Sequence, residues 1–365
     1  MRSRVVICCG SGGVGKTTIS AALALKWALA GAKVAVLTID PARRLADSLS
    51  IGELSNAARS VPIEAFSPVD GGRLDAMMLD ARSTFDELVT RMAPSPAARD
   101  RILANHYYQF ASEKLGGSHE YMAMERLLQL ADEGRYDVVV LDTPPTRHAL
   151  DFLKAPDRMA GLMDQGVLRW LVMPARKGGW RALELGSEAI ARVLKRLLGR
   201  GTVGEIAEFF DAFKSVADGM RERSMKVHSL LRDHGTRFLL VTTPAPAARA
   251  EALYFLGLLK EKEMPFGGFL INRFLAPPAH RLTPDDIPNL DGLSLEASAD
   301  LRAGILQAVQ LRASRSEAHQ RSVDALRGAG PANAGCWSIA DQERDLHDLT
   351  GLISLGDALP DLADL

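Results

Sequence analysis

The sequence predicts an α/β fold: a mostly parallel sheet flanked by helices, with an inserted helical subdomain. Three observations predict it. Short apolar runs rich in Val, Ile and Leu recur along the chain, each bounded by Gly, Pro or Asp. Stretches with helical spacing of apolar residues lie between them. One interval, from about Ala155 to Asp233, holds no strand-like run. Strands that alternate with helices pair in parallel, because each crossover helix returns the chain to the same end of the sheet.

The chain has 365 residues and 47% hydrophobic content, ample for a sizeable core. Arg4–Cys9, Lys33–Ile39, Asp137–Leu141, Phe238–Thr242 and Gly268–Ile271 read as buried strands. Leu74–Leu79 and Cys336–Ile339 are weaker candidates. Thr17–Ala30 and Ala247–Lys260 read as helices. Val203, Ile206, Phe210, Phe213, Ala217 and Met220 recur at steps of three and four, the mark of a long amphipathic helix. Ala182–Leu198 carries a second apolar stripe. The expected division is a core of residues 1–154 and 235–365, with the helical subdomain at 155–234. Arg312–Ala334, polar and then Gly-Ala-Gly-Pro, reads as a mobile connection.

A formal net charge of −1 gives no global argument for nucleic-acid binding, and no nucleic-acid partner is expected. Three cysteines, Cys8, Cys9 and Cys336, make no C-x-x-C pair and no disulfide framework. A reducing compartment fits. The first strand begins at about Arg4, which leaves no room for a signal peptide, and no 18-residue apolar run occurs. The expectation is a cytoplasmic protein whose membrane contact, if any, is made from the surface or through a partner.

The strongest motif is Gly10-Ser11-Gly12-Gly13-Val14-Gly15-Lys16-Thr17, which matches G-x-x-x-x-G-K-[ST] between a strand and a helix. Its glycines let the backbone aim several N–H groups at phosphate oxygens. The positive end of the following helix adds to the attraction. Lys16 is expected to reach the β- and γ-phosphates, and the Thr17 hydroxyl to bind Mg²⁺. This is a P-loop, and it predicts a nucleotide triphosphatase fold.

Two aspartates end apolar runs. Asp40 follows Val36-Leu37-Thr38-Ile39 and precedes Pro41; Asp142 follows Val138-Val139-Val140-Leu141 and precedes Thr143-Pro144-Pro145. In a parallel sheet, ligands bind beyond the carboxyl ends of the strands, so both carboxylates are expected near the phosphate loop. Asp142 suits Mg²⁺ through water, and Asp40 suits orienting or deprotonating an attacking water. Aspartate is also common in turns, which is the plainer reading of each.

Gly10–Thr18, Thr38-Ile39-Asp40-Pro41-Ala42 and Asp142-Thr143-Pro144-Pro145-Thr146-Arg147-His148 together resemble the arsenical-pump and guided-entry (tail-anchored protein targeting) ATPase family, in its bacterial branch. The family's second switch typically reads D-T-A-P-T-G-H-T. The resemblance runs from Arg4 to about Phe274 and more weakly into the C-terminal segment. It implies ATP hydrolysis, a dimer with nucleotide near its interface, and a helical subdomain that handles a client. It implies that Asp40 activates water and that Asp40, Pro41, Arg43, Asp142, Thr143, Pro144, Arg147 and His148 belong to the two switches. No N-K-x-D stretch for guanine is present. Asn272 stands where the family places an adenine-binding Asn, and an amide can donate to and accept from adenine's edge. Asn is also a common strand-ending turn residue.

The sequence departs from the family at Ser11, where a second lysine usually reaches across the dimer. Arg43, Arg44 and Arg147 are nearby cations; arginines are also ordinary surface residues. Cys8 and Cys9 lie on the first strand and point to opposite faces, which favours packing over arsenite or Zn²⁺ binding. Arg169–Arg200 carries eight Lys/Arg and two Glu, and Arg192, Lys195, Arg196 and Arg200 share a helical face. That face suits an anionic membrane surface or acidic partner, or simply solvent. Trp170, Met173 and Trp180 are candidates for a protein-client surface and equally for core.

The expected function is Mg²⁺-dependent ATP hydrolysis that drives dimer opening and closing to handle or target a client. A partition or positioning ATPase, or a regulatory ATP-binding subunit with little hydrolysis, are the alternatives. The expected dimer is a homodimer or a heterodimer with a paralogue that retains the lysine.

Overall fold

The computed structural model describes residues 2–40, 42–105, 108–109, 118–144, 155, 157, 203–278, 295–342, 346 and 348–365. Its frame is an eight-stranded sheet. In chain order the strands are β1 (Arg4–Cys9), β2 (Lys33–Thr38), β3 (Arg59–Ser60), β4 (Arg73–Met78), β5 (Val138–Asp142), β6 (Thr236–Thr242), β7 (Phe266–Phe274) and β8 (Gly335–Ala340). Their spatial order is β3-β4-β2-β5-β1-β6-β7-β8. Every pairing is parallel except β3 with β4. The expected α/β class and parallel sheet are therefore present.

Helices cover both faces. They include α1 (Lys16–Leu29), α2 (Arg44–Ser48), α3 (Ala81–Met92), α4 (Pro96–Leu103), α5 (Ser118–Asp132), α6 (Val203–Arg232), α7 (Pro246–Glu261), α8 (Leu295–Ala329) and α9 (Leu349–Ile353). Successive strand residues point to opposite faces. Val5, Ile7 and Cys9 accordingly join a core with Leu88, Tyr121, Leu127, Met220 and Phe255 from the helices on one side. Val6 and Cys8 join a second core with Ile19, Leu23 and Trp27 of α1. Both layers are sealed because the central strands are buried after their exposed first residues Arg4 and Lys33, and β5 is buried throughout, as parallel strands must be.

The long helix expected from Val203 onward is α6, with Val216, Ala217, Met220, Val227, Leu230 and Leu231 buried. Glu125 of α5 is fully buried and meets Arg223 of α6 at 2.6 Å. Burial pushes the Glu125 carboxyl up, and Arg223 opposes the rise. The remaining features expected of 155–234 — the Ala182–Leu198 stripe, the basic stretch 169–200, and Trp170, Met173 and Trp180 — lie outside the described residues.

The mobile connection expected at Arg312–Ala334 is overturned. Residues up to Ala329 belong to α8, a 35-residue helix. Its second half buries only Ser316, Ser322, Val323 and Leu326, so its sequence is polar for want of contacts, not of helix. The helix ends at the Gly-Ala-Gly-Pro signal, as a proline-containing stop should.

The segment after β8 packs back on α1. Trp27 Nε1 donates to the Pro360 carbonyl at 3.1 Å, and Lys26 Nζ donates to the Leu359 carbonyl at 2.6 Å and meets Asp361 at 2.8 Å. Trp27 is among the largest fully buried side chains. Trp27→Ala is expected to lower the unfolding free energy by about 3–5 kcal/mol, read by urea denaturation. A loss below about 1 kcal/mol would mean that this packing does not hold the helix.

Candidate functional site

The ends of β1, β2, β5, β6 and β7 converge on the loop between β1 and α1. That loop needs glycine for steric reasons. A Cβ on Gly10 would sit 2.1 Å from the Val241 carbonyl oxygen of β6. Gly15 has φ +91°, and a Cβ there would lie 2.4 Å from Asn272 Nδ2. Asn272 occupies that space to brace the loop: its Nδ2 donates to the Val14 carbonyl at 2.9 Å, and its Oδ1 accepts from the Arg273 N–H at 2.9 Å. One amide hydrogen and one lone pair remain. Val14 turns its side chain into the core, while Gly12 is exposed.

Lys16 opens α1. Its Nζ donates to the Ser11 carbonyl at 2.8 Å. Burial pulls the ammonium's pKa down, and Asp142 and Asp40 oppose that. The next residue, Thr17, donates from its hydroxyl to Asp142 Oδ2 at 2.7 Å. Thr38, at the end of β2, donates to the same oxygen at 3.0 Å and accepts from the Asp40 N–H at 3.2 Å. One hydroxyl thus connects the two aspartates. Asp40 Oδ1 accepts from the Ala42 N–H at 3.0 Å, and Arg44 stands 3.5 Å from Asp40 Oδ2. The Thr143 hydroxyl donates to the Cys8 carbonyl at 2.8 Å, which pins the chain just after β5, and Pro144 follows it half-buried.

Part of this set borders one cleft of about 320 Å³, whose walls include Gly13, Gly15, Lys16, Thr17, Thr18, Asp40 and Thr143. A neighbouring cavity of about 350 Å³ is bordered by Thr18, Asn272, Asp341, Gln342 and Leu346. The structure therefore brings the phosphate loop, Asp40, Asp142 and Asn272 together. Of the arginines, Arg44 lines the cleft. Arg43 instead pairs with Glu53 on the surface. Pro41, Arg147 and His148 lie outside the described residues. Sequence reasoning missed Thr38 as a bridge and Arg273 as a lining cation; the one available signal was a cation directly after Asn272.

Cys8 and Cys9 face opposite cores and are fully buried, and burial pushes both thiols up to about 12. They pack. A hard cation is a better match for the cleft. The Thr17 hydroxyl and the Asp142 carboxylate are oxygen donors of the kind Mg²⁺ takes. Asp142 Oδ1 is buried without a hydrogen-bond partner among the described residues. Burial raises the Asp142 pKa to about 6, against the pull of Thr17, Thr38 and Lys16.

The profile of the anion-transporting ATPase family matches residues 3–281, which include the phosphate loop, both aspartates and Asn272. The chain belongs to the anion-transporting ATPase family. Among its relatives, ATPase GET3B of Arabidopsis thaliana is 27% identical over 289 residues, 73% of this chain and 63% of that protein. ATPase GET3 of Malassezia globosa is 32% identical over 151 residues, 41% of this chain and 42% of that protein. ATPase ARSA1 of Chlamydomonas reinhardtii is 26% identical over 299 residues, 75% of this chain and 35% of that protein. The chain spans less than two thirds of each of these relatives. Among the described residues, no helix is long and apolar enough to cross a membrane.

The raised Asp142 pKa has a consequence for stability. The folded chain holds this proton more tightly than the unfolded chain, so stability present below about pH 4 is lost as pH rises through about 6. Asp142→Asn keeps an oxygen for both threonine hydroxyls and has no charge to bury. In metal- and nucleotide-free protein it is expected to be more stable than the native chain at pH 7, by on the order of 2–3 kcal/mol. The gap should close below about pH 4. Parallel denaturation curves from pH 4 to 8 would read this, and a pH-independent gap would refute it.

Proposed function

We propose that this chain hydrolyses ATP in the phosphate-loop cleft and uses the cycle to open and close a dimer that handles or targets a client. The observation that carries the reading is the Asp142 carboxylate, which receives Thr17 from the phosphate-loop helix and, through Thr38, is connected to Asp40. Family membership supports the ATPase activity.

Each residue then has a task. The loop Gly10–Thr18 cradles the phosphates with backbone N–H groups, and Lys16 exchanges the Ser11 carbonyl for β- and γ-phosphate oxygens. Asn272 offers adenine its remaining N–H and lone pair. Mg²⁺ would be held by Thr17 and, through water, by Asp142, and would supply charge neutralisation at the β- and γ-phosphates. Asp40 orients the attacking water and takes its proton as the new P–O bond forms. The bond from the γ-phosphorus to the bridging oxygen breaks, and its electron pair leaves with ADP.

Ser11 cannot supply the trans-acting lysine of the resembling family. We propose a heterodimer in which a paralogue's lysine acts on the ATP held here. A homodimer of this chain would then be slow, which is the point at which the regulatory-subunit reading gains support. The client surface is proposed on the helical subdomain at 155–234, with the basic stretch 169–200 facing an anionic membrane or acidic partner from the cytoplasm.

Two substitutions test the site. Lys16→Ala is expected to abolish measurable ATP binding in calorimetry, because the phosphates lose their main buried cation. Unchanged affinity would defeat the phosphate-loop assignment. Asp40→Asn should bind ATP normally yet lose turnover by about 10²–10⁴-fold. Wild-type turnover in that variant would remove Asp40 from the chemistry while leaving the binding site standing.

A further inference from the structure

Beyond the carboxyl ends of β6 and β7 lies a second cleft, of about 490 Å³. Its described walls are Thr243–Ala245 at the start of α7, Arg273 and Leu275 after β7, one face of α8, and Asp341. Leu311, Arg312, Arg315 and His319 of α8 recur at steps of one, three and four, which places them along one side of the helix. That side is anchored. Ser322 Oγ donates to the Pro244 carbonyl at 2.9 Å and accepts from Arg249 Nη1 at 3.1 Å.

Three guanidiniums border this cleft, those of Arg273, Arg312 and Arg315. None makes an ion pair or side-chain hydrogen bond among the described residues. Asp341 is the one carboxylate among the described lining residues. His319 Nδ1 accepts from the Leu275 N–H at 3.1 Å, so its hydrogen sits on Nε2, a neutral donor. Burial and the nearby Arg315 hold that imidazole's pKa down. The 16-residue helix α7 begins in the same wall and adds its positive end.

Guanidiniums that share one cleft, unpaired among the described residues, repel one another, and an anion between them turns that repulsion into attraction. Guanidinium forks match the oxygens of a phosphoryl group two at a time. Pro244, Leu275 and Leu311 add apolar wall beyond what a bare ion would fill. We propose that Arg312, Arg315 and His319, together with Arg273 at the border shared with the phosphate-loop cleft, bind a phosphoryl dianion, free or as the monoester of a small organic molecule, in addition to the phosphates at Gly10–Thr17.

The test uses the full chain carrying Lys16→Ala, which silences the phosphate loop, or the native chain saturated with a non-hydrolysable ATP analogue if that variant does not fold. Inorganic phosphate and glycerol phosphate are titrated by calorimetry at fixed ionic strength. We expect one-site binding that weakens at least tenfold when Arg312→Gln and Arg315→Gln are added together. Tighter binding of glycerol phosphate identifies an organic ester as the ligand, and equal binding identifies the free anion. Both arginines are exposed on α8, so the fold should survive their loss. A phosphate-dependent rise in thermal midpoint, abolished by the same pair, is the second readout. Phosphate binding that is unchanged by the pair, or absent while both arginines are intact, overturns the proposal. Neither result bears on ATP binding at the phosphate loop.

Discussion

A single oxygen, Asp142 Oδ2, accepts hydroxyls from two elements other than its own strand. Thr17 brings the first turn of α1 and Thr38 brings the end of β2. The carboxylate is removed from water to receive them, and its other oxygen is left without a partner among the described residues. Desolvation outweighs the two hydroxyl bonds, which is why the group titrates above its ordinary range. A fold selected for stability alone would place a neutral acceptor there. A carboxylate kept at this cost is what a cation-binding site requires, and perturbed groups of this kind collect at functional sites.

The loop beside it is constrained from the far half of the chain. Gly10 is glycine because β6 passes where its side chain would be, and Gly15 because Asn272 does. β6 and β7 reach those positions only because β1 sits between β5 and β6 in the sheet. The phosphate loop and the strand order are thus one constraint. The family profile ends at residue 281, yet β8 completes the sheet beyond it, and Leu359, Pro360 and Asp361 hold the back of α1.

What could be read from the sequence follows the same physics. Central parallel strands are buried on both faces, so they show as unbroken apolar runs, and β1, β2, β4, β5, β6, β7 and β8 were visible within a few residues. β3 was not, because two exposed residues, Arg59 and Ser60, carry no pattern. α8 was misread because a helix that lies mostly in solvent has no apolar stripe to display. In the site, residues with a motif around them (Gly10–Thr18, Asp40, Asp142 and Asn272) were legible. Thr38, Arg273, Asp341 and Leu346 were not, since their importance comes from which strand ends are neighbours. Arg43 and Arg44 are adjacent in sequence, and only the fold separates them: one pairs with Glu53, the other lines the cleft.

The charge in the cleft separates amount from arrangement. Lys16 is buried and held by the Ser11 carbonyl, so its ammonium is already confined at the loop before any phosphate arrives. Arg44 and Arg273 also border the cleft, but Arg44 is 71% exposed and meets Asp40 only at 3.5 Å. Arg273 is exposed, and its guanidinium has no partner among the described residues. Electrostatic catalysis depends on charges fixed in advance, because a mobile charge must be ordered during the reaction. The cleft therefore has positive charge enough to attract a nucleotide, yet only one rigidly placed cation among the described residues. Binding and turnover need not go together in such a site. A second rigid cation would have to come from outside the described residues or from a partner, which is the physical ground for assigning the missing lysine to a paralogue.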